Sequence, residues 1–330
     1  MSANILIAGA GSVGQRHADN LRTLGCKVAA VDPREDRRAA FAERFDAPVF
    51  ETVTAALAAG DFDGAAICSP TRFHVEQGIA ALEAGLPLLL EKPVSMDGAS
   101  AERLHAAMQA GGTPVLLGYT WRWWPPLQRV RQELADGRIG RVLNASFVMS
   151  AHLEDWHPWE PLGDFFMSDA ALGGGALLDE SHWLDQMLWL FGMPRRLTGR
   201  VEKISDLAIS SDDNVDILAE FEDGLRVHLH LDLYGRPHRK EIRCVGSAGT
   251  LLWSETPNRI AIADGAAPDW QDIPFDCERN DMFVGVAREF LDVLKGAAPQ
   301  TCTLDEGRQV MAMIDAVRES SVSGHAVDLG

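Results

Sequence analysis

The chain is 330 residues long and 46% hydrophobic, enough to predict two domains with sizeable cores and room for a cleft between them. Its formal net charge of −18 repels polyanions, which argues against nucleic acid or an anionic membrane surface as partner and toward a small molecule or a protein. Five scattered cysteines without a close pair suggest neither a disulfide framework nor a cysteine zinc site and fit a reducing, cytoplasmic setting.

The opening Met-Ser-Ala-Asn passes into the apolar run Ile5–Ala8 with no basic stretch before it, so no export signal is expected. Gly9-Ala10-Gly11-Ser12-Val13-Gly14 follows, and a helix pattern covers 13–24. A strand entering G-x-G-x-x-G and leaving as a helix uses the glycines for a tight turn, for close approach to a pyrophosphate, and for close helix-to-strand packing. The second run, Val28–Val31, ends at Asp32, which can accept both hydroxyls of an adenosine ribose and would repel a 2′-phosphate. NAD is therefore favoured, while Arg34 two residues on keeps NADP open.

Helix patterns at 35–45, 72–84 and 97–110 alternate with runs at Ala65–Cys68, Leu86–Leu90 and Val115–Leu117, the form of a doubly wound parallel sheet. Cys68, Ser69, Pro70 and His74 fall at the carboxyl edge of that sheet, where a wall for ribose and nicotinamide is expected. For Cys68 the plainer reading is a small buried hydrophobe, and for His74 a helix-start residue. Glu91-Lys92-Pro93 closes the run at Leu90. Pro93 pushes Lys92 toward extended angles, so its amine is expected at the ligand edge, where it can stabilise alkoxide-like charge during hydride transfer. The alternative is a surface lysine paired with Glu91.

After Trp121-Arg122-Trp123-Trp124-Pro125-Pro126 the pattern changes to one helix near 126–136 and then period-two alternation. Leu143 to Ala151, Val215 to Phe221 and Val227 to Leu233 alternate apolar with polar positions, predicting a half-buried, largely antiparallel sheet. Its second face, with Asp216, Glu220, His228, His230 and Asp232, reads equally as solvated or as a protein interface. His228 and His230 read as a solvated pair, since a zinc site needs three or four ligands. The segment His152 to Glu160 reads either as a substrate loop, with Trp156, His157 and Trp159 toward a sugar ring, or as a packed surface loop. No metal is expected, because hydride transfer to NAD needs none.

In Gly173-Gly174-Gly175-Ala176-Leu177-Leu178-Asp179-Glu180-Ser181-His182-Trp183-Leu184-Asp185 the glycines allow close approach and a helix follows. Trp183, Leu184, Met187, Leu188 and Phe191 form its apolar face, with His182 and Asp185 on the other. His182 fits a general base for alcohol oxidation, oriented by Asp179 or Asp185. Helix patterns near 280–295 and 304–319 are expected to complete the second domain.

Taken together, the glycine fingerprint, Ser69-Pro70-Thr71-Arg72-Phe73-His74, Glu91-Lys92-Pro93, Gly118-Tyr119-Thr120-Trp121-Arg122, the triple glycine with Asp179 and His182, and the segment from Ala316 to Leu329 resemble the Gfo/Idh/MocA oxidoreductases over nearly the whole chain. The resemblance implies a Rossmann domain over 1–121 and an α/β substrate domain over 122–330, whose open sheet makes homodimer or homotetramer contacts. It also implies NAD(P)-linked oxidation or reduction of a sugar, a polyol or a modified, nucleotide-linked sugar. It assigns Lys92, Asp179 and His182 to catalysis, and Gly9, Gly11, Ser12, Val13, Gly14, Asp32, Arg34, Cys68, Ser69, Pro70, His74, Glu91 and Lys92 to the cofactor. Tyr119, Trp121, Arg122, Trp156, His157, Trp159 and Asp185 are assigned to substrate. Members often carry the Asp and His four apart, and here the spacing is three, which makes Asp185 the second candidate. Two other functions share the fold: a redox-neutral NAD-using glycosidase or lyase, and a cofactor-sensing protein without catalysis.

Overall fold

In a computed structural model, which describes residues 2–156, 161–265 and 269–330, the short apolar runs of the N-terminal part become strands. The order is β1 (Asn4–Ala8), α1 (Ser12–Thr23), β2 (Lys27–Val31), α2 (Glu35–Phe45), β3 (Val49–Phe50), α3 (Val53–Ala59), β4 (Gly64–Ile67), α4 (His74–Glu83), β5 (Leu88–Leu90), α5 (Gly98–Gly111) and β6 (Val115–Leu117). All six strands are parallel, in the order β3-β2-β1-β4-β5-β6, the doubly wound arrangement the sequence predicts. Ile5 to Ala8 and Leu88 to Leu90 expose no surface, which explains why these strands read as continuous apolar runs. The order reverses at β1 and β4, where such sheets take ligands at strand carboxyl ends. The pair β3 and α3 is an addition to the sequence reading: two strand residues carry no periodicity, and the short alanine-rich helix is set by Thr52, whose side chain accepts from Ala55 N–H at 3.1 Å.

The remaining elements are α6 (Pro125–Ala135), β7 (Val142–Ser150), α7 (Ala176–Asp179), α8 (His182–Phe191), β8 (Arg196–Glu202), β9 (Asn214–Glu220), β10 (Arg226–Asp232), β11 (Arg239–Gly246), β12 (Gly249–Ser254), β13 (Arg259–Asp264), β14 (Gln271–Pro274), α9 (Arg279–Leu294), α10 (Leu304–Ser323) and β15 (Val327–Asp328). Two units result: residues 1–123 with 279–311, and residues 124–278 with 312–330. The sequence pattern assigns the helix near 280–295 to the second domain, but α9 lies in the first unit, as does the start of α10. There Phe283 meets the His17 ring edge-on at 5.5 Å, and Trp123 Nε1 donates to Glu289 at 3.1 Å. An amphipathic helix does not name the surface it covers, so periodicity alone could not place α9.

Arg122 has no exposed surface, and its guanidinium donates to Thr301 O at 2.8 Å and to Glu306 Oε1 at 2.5 Å. The Glu306 carboxylate also accepts from Thr303 N–H, while the Thr303 hydroxyl accepts from Glu306 N–H, a capping box that starts α10. Arg122 thereby ties the segment before α6 to α10. Tyr119 is equally inaccessible and Trp121 half-buried.

The second unit holds nine strands in the order β14-β13-β12-β11-β7-β10-β9-β8-β15, antiparallel except for β7 with β10, in keeping with the largely antiparallel sheet expected. Trp183 of α8 packs against Phe147 and Trp253, with ring centroids 6.4 and 6.3 Å away, so α8 covers one sheet face. The other face carries Asp216, Leu218, His228 and His230, which border a shallow cavity with Ser146, Thr198 and Arg200. His228 is exposed, and His230, partly exposed, contacts Asp216 at 2.7 Å and Asp232 at 3.1 Å. Among the described residues no helix is long and apolar enough to cross a membrane.

Two outcomes are expected. Arg122→Ala should destabilise by about 3 kcal/mol, because it leaves the partly buried Glu306 without its cation, and this is read from the midpoint of urea unfolding. Hydrogen bonding to Asp232 and Asp216 lifts His230 from 6.5 to about 9. Stability from this contact is full below pH 6.5 and lost as the pH rises through about 9. Wild-type thermal stability should therefore fall across that window, more steeply than that of His230→Gln.

Candidate active site

The glycine loop folds as its spacing requires. Gly9 has φ +101°, and a Cβ on Gly14 would stand 1.9 Å from the Gly9 carbonyl oxygen, so α1 presses on the turn closely enough to demand glycine at both positions. Gly11 differs, because a Cβ there would meet only Arg37, at 3.7 Å from Nη1. Helix α1 begins with no side-chain cap and no acidic residue in its first turn, and Ser12 and Val13 are exposed. An open cradle at an uncapped helix N-terminus fits a pyrophosphate. Asp32, 3% exposed, is held by Ala10 N–H on Oδ2 and Arg34 N–H on Oδ1, both at 3.0 Å, which orients its carboxylate beside the loop.

Arg34 turns its guanidinium to Asp36 at 2.6 Å, and its backbone N–H donates to Asp32. Two further cations lie near Asp32: Arg38 Nη1 donates to its carbonyl at 2.8 Å, and Arg37, a residue the sequence reading missed, stands 4.0 Å from its Oδ2. Its signal was present in the helix period, which puts Arg37 one turn into the helix after Asp32.

At the end of β5, Glu91 is 7% exposed and its Oε1 lies 2.7 Å from Nε2 of the fully buried His17 on α1. Burial pushes Glu91 up, but the His17 contact and the Lys92 charge outweigh it and hold the carboxyl below its ordinary range. A Cβ on Gly118 would come within 3.1 Å of that carboxylate, so this glycine makes room for it. Glu91 thus joins the helix that the glycine loop opens to the end of β5 from inside the unit. Lys92 is half-buried at the sheet's carboxyl edge, and its N–H lies 3.3 Å from Glu91 Oε2.

His74 is 1% exposed, with Nδ1 2.8 Å from Pro93 O and Nε2 2.8 Å from Ser69 O. Both nitrogens face carbonyls, so the ring joins the Ser69 turn to the Lys92–Pro93 turn. Burial pushes its pKa down. Burial likewise lifts the Cys68 thiol, with the Glu91 charge adding to it, so Cys68 is an inert thiol in the wall formed with Ser69 and Pro70.

In the second unit the glycines serve close approach as expected. A Cβ on Gly174 would lie 2.3 Å from Met167 O, and Gly175, at φ +113°, lies against Asp212. Asp212 Oδ2 accepts from Leu177 N–H at 2.8 Å, and its carbonyl accepts from Ala176 N–H at 3.0 Å, so Asp212 sets the start of α7. Sequence reasoning missed this residue, which looks like any acid before a strand. Asp179 ends α7 at 8% exposure, the helix breaks at Glu180 and Ser181, and His182 opens α8 half-buried. Asp185, one turn further along α8, has no exposed surface. Trp156 is half-buried, and Asp155 before it pairs with Arg236 at 2.8 and 2.9 Å on the surface. His157 and Trp159 lie outside the described residues.

Comparison with known proteins agrees with this layout. Residues 3–119 match the oxidoreductase family with an NAD-binding Rossmann fold, and residues 127–252 match the GFO/IDH/MocA C-terminal domain. Inositol 2-dehydrogenase 2 of Saccharopolyspora erythraea is 30% identical over 264 residues, 76% of this chain and 73% of that one. D-apiose dehydrogenase of Paraburkholderia graminis is 25% identical over 98% of this chain and 88% of its own. The structure of levoglucosan dehydrogenase with NADH and levoglucosan shares the fold over the whole of both chains, with TM-score 0.88 at 17% identity. The chain belongs to the Gfo/Idh/MocA family of oxidoreductases, and residues 3–119 are its NAD-binding domain.

The His17–Glu91 contact generates a pH-dependent expectation. His17→Leu should cost about 3 kcal/mol near neutral pH, since it strands a buried carboxylate. Without the imidazole, burial raises the Glu91 pKa, so the deficit relative to wild type should shrink as acid protonates the group. Urea unfolding of both proteins at neutral and mildly acidic pH checks this, and a pH-independent deficit would contradict it.

Proposed function

We propose that this family member is an NAD-dependent dehydrogenase acting on a carbinol carbon of a sugar or polyol, with Lys92 holding the substrate oxygen and His182 exchanging its proton. The observation that carries the reading is the placement of Lys92. Its amine follows a strand with no exposed surface, at the same sheet edge as the Gly9–Gly14 loop, and its neighbour Glu91 is pinned to the helix that the loop opens. The names of the relatives, which act on inositol and apiose, support the carbohydrate class. Asp32, oriented by two backbone N–H groups, favours the unphosphorylated ribose of NAD.

When bound, NAD supplies the acceptor for a hydride. In the oxidative direction the carbinol C–H bond breaks with its electron pair leaving as hydride, and the hydroxyl proton passes to His182, leaving a carbonyl. Lys92 donates a hydrogen bond to that oxygen and stabilises the negative charge that develops before the proton is fully gone. Asp179, at the end of α7 and 8% exposed, is the acid that reaches the substrate side of His182, and Asp185 orients the ring from within α8. The open sheet face, with its mixture of Leu218, His228, Arg243 and Leu252, is read as the contact between copies of the chain.

The test is the absorbance of reduced nicotinamide when purified protein meets NAD, then NADP, with a panel of sugars, polyols and sugar acids. NADH should accumulate with one polyhydroxylated class; none across the panel would overturn the dehydrogenase reading. On the substrate so found, Lys92→Met should lower kcat by about 10²- to 10³-fold while NAD still binds, and unchanged kcat would remove Lys92 from the mechanism.

A further inference from the structure

From the end of β2 into α2 the chain reads Asp32-Pro33-Arg34-Glu35-Asp36-Arg37-Arg38, three acids and three arginines. The three guanidinium groups are placed differently. Arg34 is exposed and forks onto Asp36, with Nε and Nη2 at 3.1 and 2.6 Å from the two carboxylate oxygens, so its charge is offset there. Arg38 is half-buried, and its Nη1 donates to Asp32 O and Pro33 O, both at 2.8 Å, which fixes a cation at the turn. Arg37 keeps 33% of its side chain exposed, and its Nη1 stands 4.0 Å from Asp32 Oδ2 and 3.7 Å from where a Cβ on Gly11 would be. An accessible guanidinium thus bridges the glycine loop and the end of β2, the two places between which a dinucleotide lays its adenosine ribose.

The charge balance there decides what that ribose can carry. Asp32 brings one negative charge, but its oxygens already accept from Ala10 N–H and Arg34 N–H, and Arg37 and Arg38 bring two positive charges to within 4.0 Å of the residue. Glu35, exposed at the start of α2, leaves the segment neutral overall. A lone carboxylate at this point repels a 2′-phosphate, whereas one set among arginines does so far less, and a guanidinium presents paired N–H donors that match phosphate oxygens. We propose that Arg37 is a cofactor-selectivity residue that receives the 2′-phosphate of NADP, so that the domain takes both dinucleotides without reversing the preference Asp32 gives to NAD. The inference concerns the adenosine end of the cofactor and is independent of the substrate and of the roles of Lys92 and His182.

NADH and NADPH differ only at that phosphate, and titrating each into the full-length protein while following nicotinamide fluorescence reads binding without turnover. Wild type should bind both. Arg37→Gln should lower the ratio of NADPH to NADH affinity by about tenfold or more, as expected for the loss of a charge-assisted hydrogen bond. Arg37→Lys, which keeps the charge and loses the fork, should recover part of that ratio, and the difference between wild type and Arg37→Gln should shrink as salt is raised. Because each protein's NADPH affinity is compared with its own NADH affinity, a general loss of folded protein cancels. A wild type that does not bind NADPH would overturn the proposal. So would an Arg37→Gln variant that loses both nucleotides equally, a result that assigns Arg37 to the adenine or the pyrophosphate. Absence of turnover across the sugar panel would remove the dehydrogenase reading and leave this result standing.

Discussion

A carboxylate that is 7% exposed must find a partner, and Glu91 finds the ring of His17 at 2.7 Å. His17 sits about one turn beyond Gly14 on the helix that opens at the glycine loop, and Glu91 immediately precedes Lys92, so this contact links the nucleotide cradle to the amine. His74 adds a second link from the other side, with one ring nitrogen facing Ser69 O and the other Pro93 O. The segments at 9–14, 68–74 and 91–93 are thus located against one another by buried imidazoles. For the catalysis proposed for Lys92 an amine needs placement within a fraction of an ångström, and side chains locked from behind provide it better than a flexible lysine can alone.

The second unit solves the same problem differently. Its reactive segment is placed by backbone: Gly174 and Gly175 let the chain pass against Met167 and Asp212, and Asp212 receives two successive N–H groups at the start of α7. The short helix, the break at Glu180 and Ser181, and the restart at His182 follow from that anchor. Helix α8 is then not amphipathic in the ordinary sense, since Asp185 and Gln186 are as buried as Trp183 and Leu184. Polar groups buried on a helix whose other side already packs on a sheet are costly to a fold unless partners satisfy them.

Much of this was legible in the sequence. Fully buried parallel strands write themselves as apolar runs, and the glycine fingerprint carries its own steric logic, so the doubly wound sheet and its cradle could be read residue by residue. What escaped did so for identifiable reasons. The two residues of β3 are too few for a period, and α9 has an apolar stripe that would suit either unit. The inward contacts of Glu91, His74 and Arg122 bind segments far apart in the chain, which no local pattern records. Asp212 acts on a segment 35 positions earlier, through backbone groups that every sequence possesses.

The choice between Asp179 and Asp185 shows how structure changes an argument made from spacing. Three-residue spacing brings two side chains together only on an unbroken helix. His182 and Asp185 satisfy that condition inside α8, whereas Asp179 and His182 are separated by the break at Glu180 and Ser181. Spacing therefore supports Asp185 as the partner that orients the imidazole. For Asp179, which ends the four-residue α7 at 8% exposure, the complementary role is part of the proposed chemistry. Under the proposed chemistry the two acids are then not competitors: Asp185 holds the base from within the helix, and Asp179 meets the substrate that the base deprotonates.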